Sequence, residues 1–213
     1  MVITLGGTYG SGGKAIVAAL KRILGWRLCD DAVFSEAVKE LDTKLTEDTL
    51  RYFDESEGKA PLAELMRLSG PLRRPYALAV RSMTYDVLPL DKELDRLQRQ
   101  VITGLASEGD CIFLGRCADH YLADRDDLLS VYTVDTEDNC ILRIREAFPQ
   151  LSQKEAAKLK KKTDKRRGDY YQFFTGKLWG DMNSYSMMMN CSAVGGAEIA
   201  AELLAAAALS HEV

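Results

Sequence analysis

Glycines at 6, 7, 10, 12 and 13 crowd up to Lys14 in "LGGTYGSGGKAIV", residues 5–17. Set between an apolar run and an amphipathic stretch, that composition suits holding a phosphate. Backbone amides and the positive end of a helix attract an oxyanion, and glycines let the chain wrap it without Cβ clashes. The usual phosphate loop reads G-x-x-x-x-G-K-[ST], with the lysine on the terminal phosphates and the hydroxyl on Mg²⁺. Two registers fit. With Gly13 and Lys14 as the Gly-Lys pair, Thr8 replaces the first glycine. With Gly7 and Gly12 as the two glycines, Gly13 takes the lysine's place and Lys14 comes one residue late. In the first register Ala15 stands where a magnesium-binding hydroxyl is expected, and in the second neither Lys14 nor Ala15 offers one. The alternative is a glycine-rich turn that binds nothing.

Further candidates lie at the ends of apolar runs. Asp30 and Asp31 follow "WRLC", and ligands of open α/β sheets bind at the carboxyl ends of strands. They could equally cap a helix. Arg116 follows "CIFLG" and could hold a phosphate through two parallel bonds, or form a surface ion pair. Arg96 or Arg99 would supply a second contact. Lys160, Asp164 and Arg167 recur at i, i+4 and i+7, one face of a helix. Cations so placed can stabilise a transferring phosphoryl group when a lid closes, with Lys162 and Arg166 in reserve. A solvated basic helix is the plainer reading. The five aromatics between Tyr170 and Trp179 could stack a base, though packing explains them as well. Lys177 and Asp181 could reach the same site, with nothing to rank one above the other. His120 and His211 have no recognisable triad partner, and Met187 to Met189 read as core.

The elements that must position these residues alternate. Strands are expected at 2–5, 26–29, 111–114, 128–134 and 185–190, and helices from Lys14 to Leu24, at 137–147, at 152–167 and at 196–208. Residues 32–100 read as mostly helical, broken at 69–75 and at Pro89. Strands alternating with helices predict a parallel, doubly wound sheet. The stretch before the third strand is too long for one crossover, so part of it is expected to form a helical insert.

With 213 residues and 46% hydrophobic content, one domain with its own core is expected. A net charge of -4 argues against a nucleic-acid face. No apolar run approaches the ~20 residues of a membrane span, and no leader is evident. Five scattered cysteines, none in a C-x-x-C pair, suggest neither disulfides nor a metal site, so a cytoplasmic protein is expected.

In its second register the loop resembles "GPSGAGKGT" of bacterial cytidylate kinases. The likeness continues in order. "LGWRLCDDAVF" (24–34) is similar to their "LGWHLLDSGAIY", and "CIFLGRCAD" (111–119) to the strand ending in "DGRDIGT". "KKKTDKRR" (160–167) is similar to a lid with the pattern R-x3-D-x2-R, and "YSMMMNCSAVG" (185–195) to "DALVLDSTTLS". A closer resemblance is to the cytidylate kinase-like family, which carries "YGSGG" and "YY..(F/Y)TGK.WGD"; here these stand at 9–13 and 170–181.

The resemblance implies a P-loop nucleoside monophosphate kinase fold. Its core would be residues 1–40 and 101–213, its monophosphate-binding insert about 41–100, and its lid about 158–183. It implies transfer of a phosphoryl group from ATP, with Mg²⁺, to a nucleoside monophosphate, CMP or dCMP first. Gly7, Gly10, Ser11, Gly12, Gly13 and Lys14 would hold the donor, and Asp30, Asp31 and Arg116 the acceptor. Lys14, Lys160, Asp164 and Arg167 would be catalytic. The partners would be small nucleotides, not nucleic acid or membrane, with oligomeric state left open. Four departures point to the alternatives of a catalytically weakened nucleotide-binding protein or a kinase for another acceptor. They are the displaced lysine, Ala15 in place of a hydroxyl residue, Glu36 at the position of a substrate-binding arginine, and Cys117 in place of the aspartate after the strand-end arginine.

Overall fold

A computed structural model describes residues 1–41 and 88–210. Most of the expected insert, 41–100, therefore lies outside the described residues. The elements in chain order are β1 (Val2–Gly7), α1 (Gly13–Leu24), β2 (Arg27–Cys29), α2 (Asp31–Leu41), α3 (Leu88–Ser107), β3 (Cys111–Leu114), α4 (Ala118–Tyr121), β4 (Leu128–Val134), α5 (Glu137–Ala147), α6 (Gln153–Thr175), a 3-10 turn (Met182–Ser184), β5 (Met187–Asn190) and α7 (Ala197–Ser210).

The five strands form one parallel sheet in the order β2-β3-β1-β4-β5. Central β1 aligns Val2 with Cys111 on one side and with Leu128 on the other. Side chains alternate along a strand, so adjacent residues serve opposite layers. Val2, Cys111 and Phe113 face one core with Phe34, Leu97, Ile102 and Tyr170. Ile3, Leu5 and Ile112 face the other, with Ile16 and Leu20 of α1 and Leu204 of α7. Helices thus cover both faces, making three layers. α1 buries Ile16, Val17, Ala19 and Leu20, the apolar stripe of a 3.6-residue period, and Gly25 ends it in a left-handed cap.

Pro89, expected to break the helical stretch, lies in the first turn of α3, where a missing N–H costs nothing; what precedes Leu88 lies outside the described residues. Two elements differ from expectation. α6 does not stop at Arg167 but runs on to Thr175, closed by Gly176 at φ 70. It begins in a capping box, Ser152 accepting from the Glu155 N–H and Glu155 from the Ser152 N–H. β5 starts at Met187 because Ser186 is turned aside: its N–H donates to the Ser130 hydroxyl and its own hydroxyl accepts from the Ser130 N–H.

Candidate active site

The loop joining β1 to α1 opens at the carboxyl end of the sheet. Its glycines are fixed by their neighbours. Gly10, at φ 84, leaves a would-be Cβ 2.6 Å from the Cys140 carbonyl of α5. At Gly12, φ 98, a Cβ would lie 2.8 Å from Cys191 Sγ. Thr133, ending β4, closes the loop from below: its carbonyl accepts from the Thr8 N–H, and its hydroxyl meets that of Ser11 at 2.8 Å. The amide of Ser11 turns inward to the Thr8 carbonyl. Those of Gly10, Gly12, Gly13 and Lys14 find no acceptor among the described residues, which leaves four donors for an anion at the head of α1.

These residues line one wall of a cleft of ≈ 710 Å³. Arg116 stands on another. The turn after β3 carries three successive left-handed residues, Gly115, Arg116 and Cys117, at φ 73, 60 and 55. Two non-glycine residues so placed cost about 1–3 kcal/mol each, and such strain persists only where surroundings impose it. Here they do. Buried Gln98 donates to the Arg116 carbonyl (2.7 Å) and accepts from the Tyr170 hydroxyl (2.6 Å). The buried Arg116 guanidinium lies over the Phe34 ring at 4.3 Å and bonds Asp31 through Nη2 at 2.5 Å. The strain therefore aims a guanidinium at the strand end.

The third wall is α6. Leu159, Thr163, Arg166, Arg167 and Tyr170 line the cleft from successive turns of one helix face. Arg167 Nη1 donates to the Gly7 carbonyl (3.2 Å), and its guanidinium lies 5.5 Å from the Tyr9 ring. Asp119, Tyr171, Trp179 and Tyr185 line the wall near Arg116. Burial pushes the Asp119 carboxyl above its usual range, although the Tyr171 hydroxyl donates to it at 2.6 Å.

The candidates named from sequence divide. Gly7, Gly10, Ser11, Gly12, Gly13, Lys14, Asp31, Arg116 and Arg167 line the one cleft. Lys14 is exposed on the first turn of α1. Asp30 caps α2, accepting from the Ala32 and Val33 amides at 3.1 Å. Lys160 and Asp164 pair at 2.7 Å beside the cleft rather than lining it. Gln98, Asp119 and Arg143 were missed. Arg143 donates to the Gly10 carbonyl (3.0 Å) and to Asp135 (2.6 Å). Only the fold brings Asp119 and Arg143 to the cleft and Gln98 behind Arg116; no local spacing marks them.

A model of the family described as cytidylate kinase-like matches residues 2–193. The chain belongs to the cytidylate kinase-like family. The fold is accordingly that of the P-loop nucleoside monophosphate kinases. The family is kinase-like by its description, which makes this member a nucleotide or small-molecule kinase in broad class. No curated protein matches. Among solved structures, an uncharacterised protein from Eubacterium ventriosum ATCC 27560 superposes with TM-score 0.68 at 19% identity, covering 99% of this chain and 98% of that one. A shikimate kinase from Acinetobacter baumannii in complex with shikimate gives 0.48 at 14% identity, with 100% and 94% covered. A deoxyadenosine kinase from M. mycoides gives 0.41 at 14%, with 99% and 100% covered.

Cytidylate kinase-like chemistry calls for ATP and Mg²⁺. The open loop amides fit a polyphosphate. A magnesium ligand does not emerge: Ala15 has no hydroxyl, the Ser11 hydroxyl is held by Thr133, and Asp135 is occupied by Ser192, Asn139 and Arg143. Among the described residues no cluster of His, Cys, Asp and Glu could hold a metal ion, nor is any helix long and apolar enough to cross a membrane.

Proposed function

We propose that this chain transfers the γ-phosphoryl group of ATP to a nucleoside monophosphate, CMP or dCMP first among acceptors. One observation carries the reading: a loop with four open amides, a strained and buried Arg116 and the paired Arg166–Arg167 line a single cleft. Those are two anion stations with cations between them. Phosphoryl transfer asks for little else, because it proceeds by positioning and charge stabilisation.

The loop amides hold the donor's inner phosphates, and Arg116 holds the acceptor phosphate. An acceptor oxygen forms a bond to the γ-phosphorus as the bond to ADP breaks. Arg166 and Arg167 face the equatorial oxygens on which charge spreads. Mg²⁺ enters with ATP as part of the substrate. The α6 wall excludes water that would otherwise take the phosphoryl group.

A second reading is a nucleotide-binding protein with little turnover, and it has its own support. Gly13 stands at the lysine position, Lys14 is exposed, and no hydroxyl replaces Ala15. A coupled ATP-turnover screen across nucleoside monophosphates and small hydroxylated acceptors decides between them. Turnover on CMP or dCMP supports the first reading. Turnover only on a non-nucleotide acceptor reassigns the acceptor, and saturable ATP binding with no turnover supports the second.

A further inference from the structure

The Lys160–Asp164 pair sits on the helix face next to the one that lines the cleft. Leu159, Thr163, Arg166, Arg167 and Tyr170 face the cleft; Lys160 and Asp164 are rotated by one residue. Asp164 instead reaches the phosphate loop from outside. Its Oδ1 accepts from the Tyr9 N–H at 2.6 Å, and its Oδ2 accepts from Lys160 Nζ at 2.7 Å. The Tyr9 ring is packed in the small core between α5 and α6, with Ile141, Ile144 and Leu159. Tyr9 thus pins the loop to the lid helix through both backbone and side chain.

A carboxylate bonded to a loop that must admit a polyphosphate is an electrostatic liability unless neutralised. Lys160 neutralises it, and has no other partner among the described residues. We infer that Asp164 and Lys160 are a positioning pair for the phosphate loop: Asp164 fixes the Tyr9 amide, Lys160 cancels its charge, and neither touches the transferring phosphoryl group. The lid's positive work then falls to Arg166 and Arg167. A loop without its internal lysine would owe its shape to the lid helix. The consequence for ATP rests on the phosphoryl-transfer reading; the Tyr9 contact does not.

Two measurements test this. The first is hydrogen exchange at the Tyr9 amide in nucleotide-free protein. Asp164→Asn keeps an acceptor oxygen and should leave the rate within about threefold of wild type, while Asp164→Ala should raise it about tenfold or more. The second is the Kd of ATP with Mg²⁺ at low and high salt. Lys160→Gln leaves a bare carboxylate and should weaken binding about tenfold at low salt, less at high salt. The double variant Lys160→Gln/Asp164→Asn should return to within about twofold of wild type at low salt. A double variant as weak as Lys160→Gln would mean that Lys160 contacts phosphate itself, overturning the proposal. So would equal Tyr9 exchange in Asp164→Ala and wild type. Failure of the wild type to bind ATP would instead sink the phosphoryl-transfer reading, and the exchange measurement would still decide the Asp164 contact.

Discussion

Two carboxylates near the cleft are tuned in opposite directions. Asp119 is raised, first by burial, against the Tyr171 hydroxyl. Asp135 would also be raised by burial, yet the Ser192 hydroxyl, Asn139 amide, Arg143 guanidinium and Thr136 N–H hold it well below the carboxylate range. A raised native value means the proton is bound more tightly in the folded chain. The Asp119 contribution is therefore full below the unfolded value of about 4 and is lost as pH rises through the native value. Asp119→Asn keeps an acceptor for Tyr171 and removes the penalty of the buried charge. It should raise the Tm at neutral pH, with the gain vanishing below about pH 4. Asp135 has the other sign: its contribution is present above about pH 4 and is lost as pH falls toward its depressed native value. Asp135→Ala removes the carboxylate that Arg143, Ser192 and Asn139 share and should cost about 1–3 kcal/mol at pH 7 in urea unfolding. In the loop itself, Gly10→Ala adds a left-handed penalty of about 1–2 kcal/mol and drives a methyl at the Cys140 carbonyl. ATP affinity, followed by titration, should fall with it.

Elements place these residues, and Gln98 shows how. It lies on α3, holds the strained turn after β3 by one end and Tyr170 of α6 by the other, and is wholly buried. Gln98→Ala removes one hydrogen-bond partner from the Arg116 carbonyl and one from the Tyr170 hydroxyl, and should destabilise by about 2 kcal/mol. Calorimetry with a nucleoside monophosphate should show weaker acceptor binding, because the Arg116 turn relaxes, while ATP binding holds. Such a residue is illegible in the sequence, because its partners lie 18 and 72 positions away. The strands were legible for the opposite reason. "CIFL" and "LLSVYTV" are short apolar runs bounded by polar or glycine residues, and they form β3 and β4 at the residues expected. The glycine-rich turn and Arg116 were legible in place because a glycine cluster between a strand and a helix, and an arginine at a strand end, mark themselves locally. The length of α6 was not. The expected range ended at 167, yet Gly168 sits in the helix with the nearest atom to a would-be Cβ, Trp179 Cε3, at 3.8 Å. Helix packing through Tyr170 and Tyr171 carries the chain past it.

At the scale of the whole molecule the sheet divides labour. The layer of α1 and α7 holds an apolar core with Leu20, Leu204 and Ala205, whereas Arg116, Tyr170 and Tyr171 belong to the opposite layer. The cleft opens along the carboxyl edge where loops from β1 and β3 diverge to either side of the sheet, as ligand sites of open α/β sheets do. Stability and binding should then be separable. Leu204 is fully buried and does not line the cleft. Leu204→Ala removes a core side chain and leaves a cavity between α7 and α1, at a cost of about 2–5 kcal/mol. Its ATP Kd, measured well below the lowered Tm, should stay within about twofold of wild type, since changes at well-separated sites act independently. Saturating ATP should also add the same increment to both proteins, about 2.7 kcal/mol at a hundredfold excess over Kd. Comparing the two denaturation curves with and without ATP tests that directly. An ATP increment that shrank in Leu204→Ala would show that the α1–α7 layer shapes the loop at the head of α1, and that the sheet does not insulate the two layers.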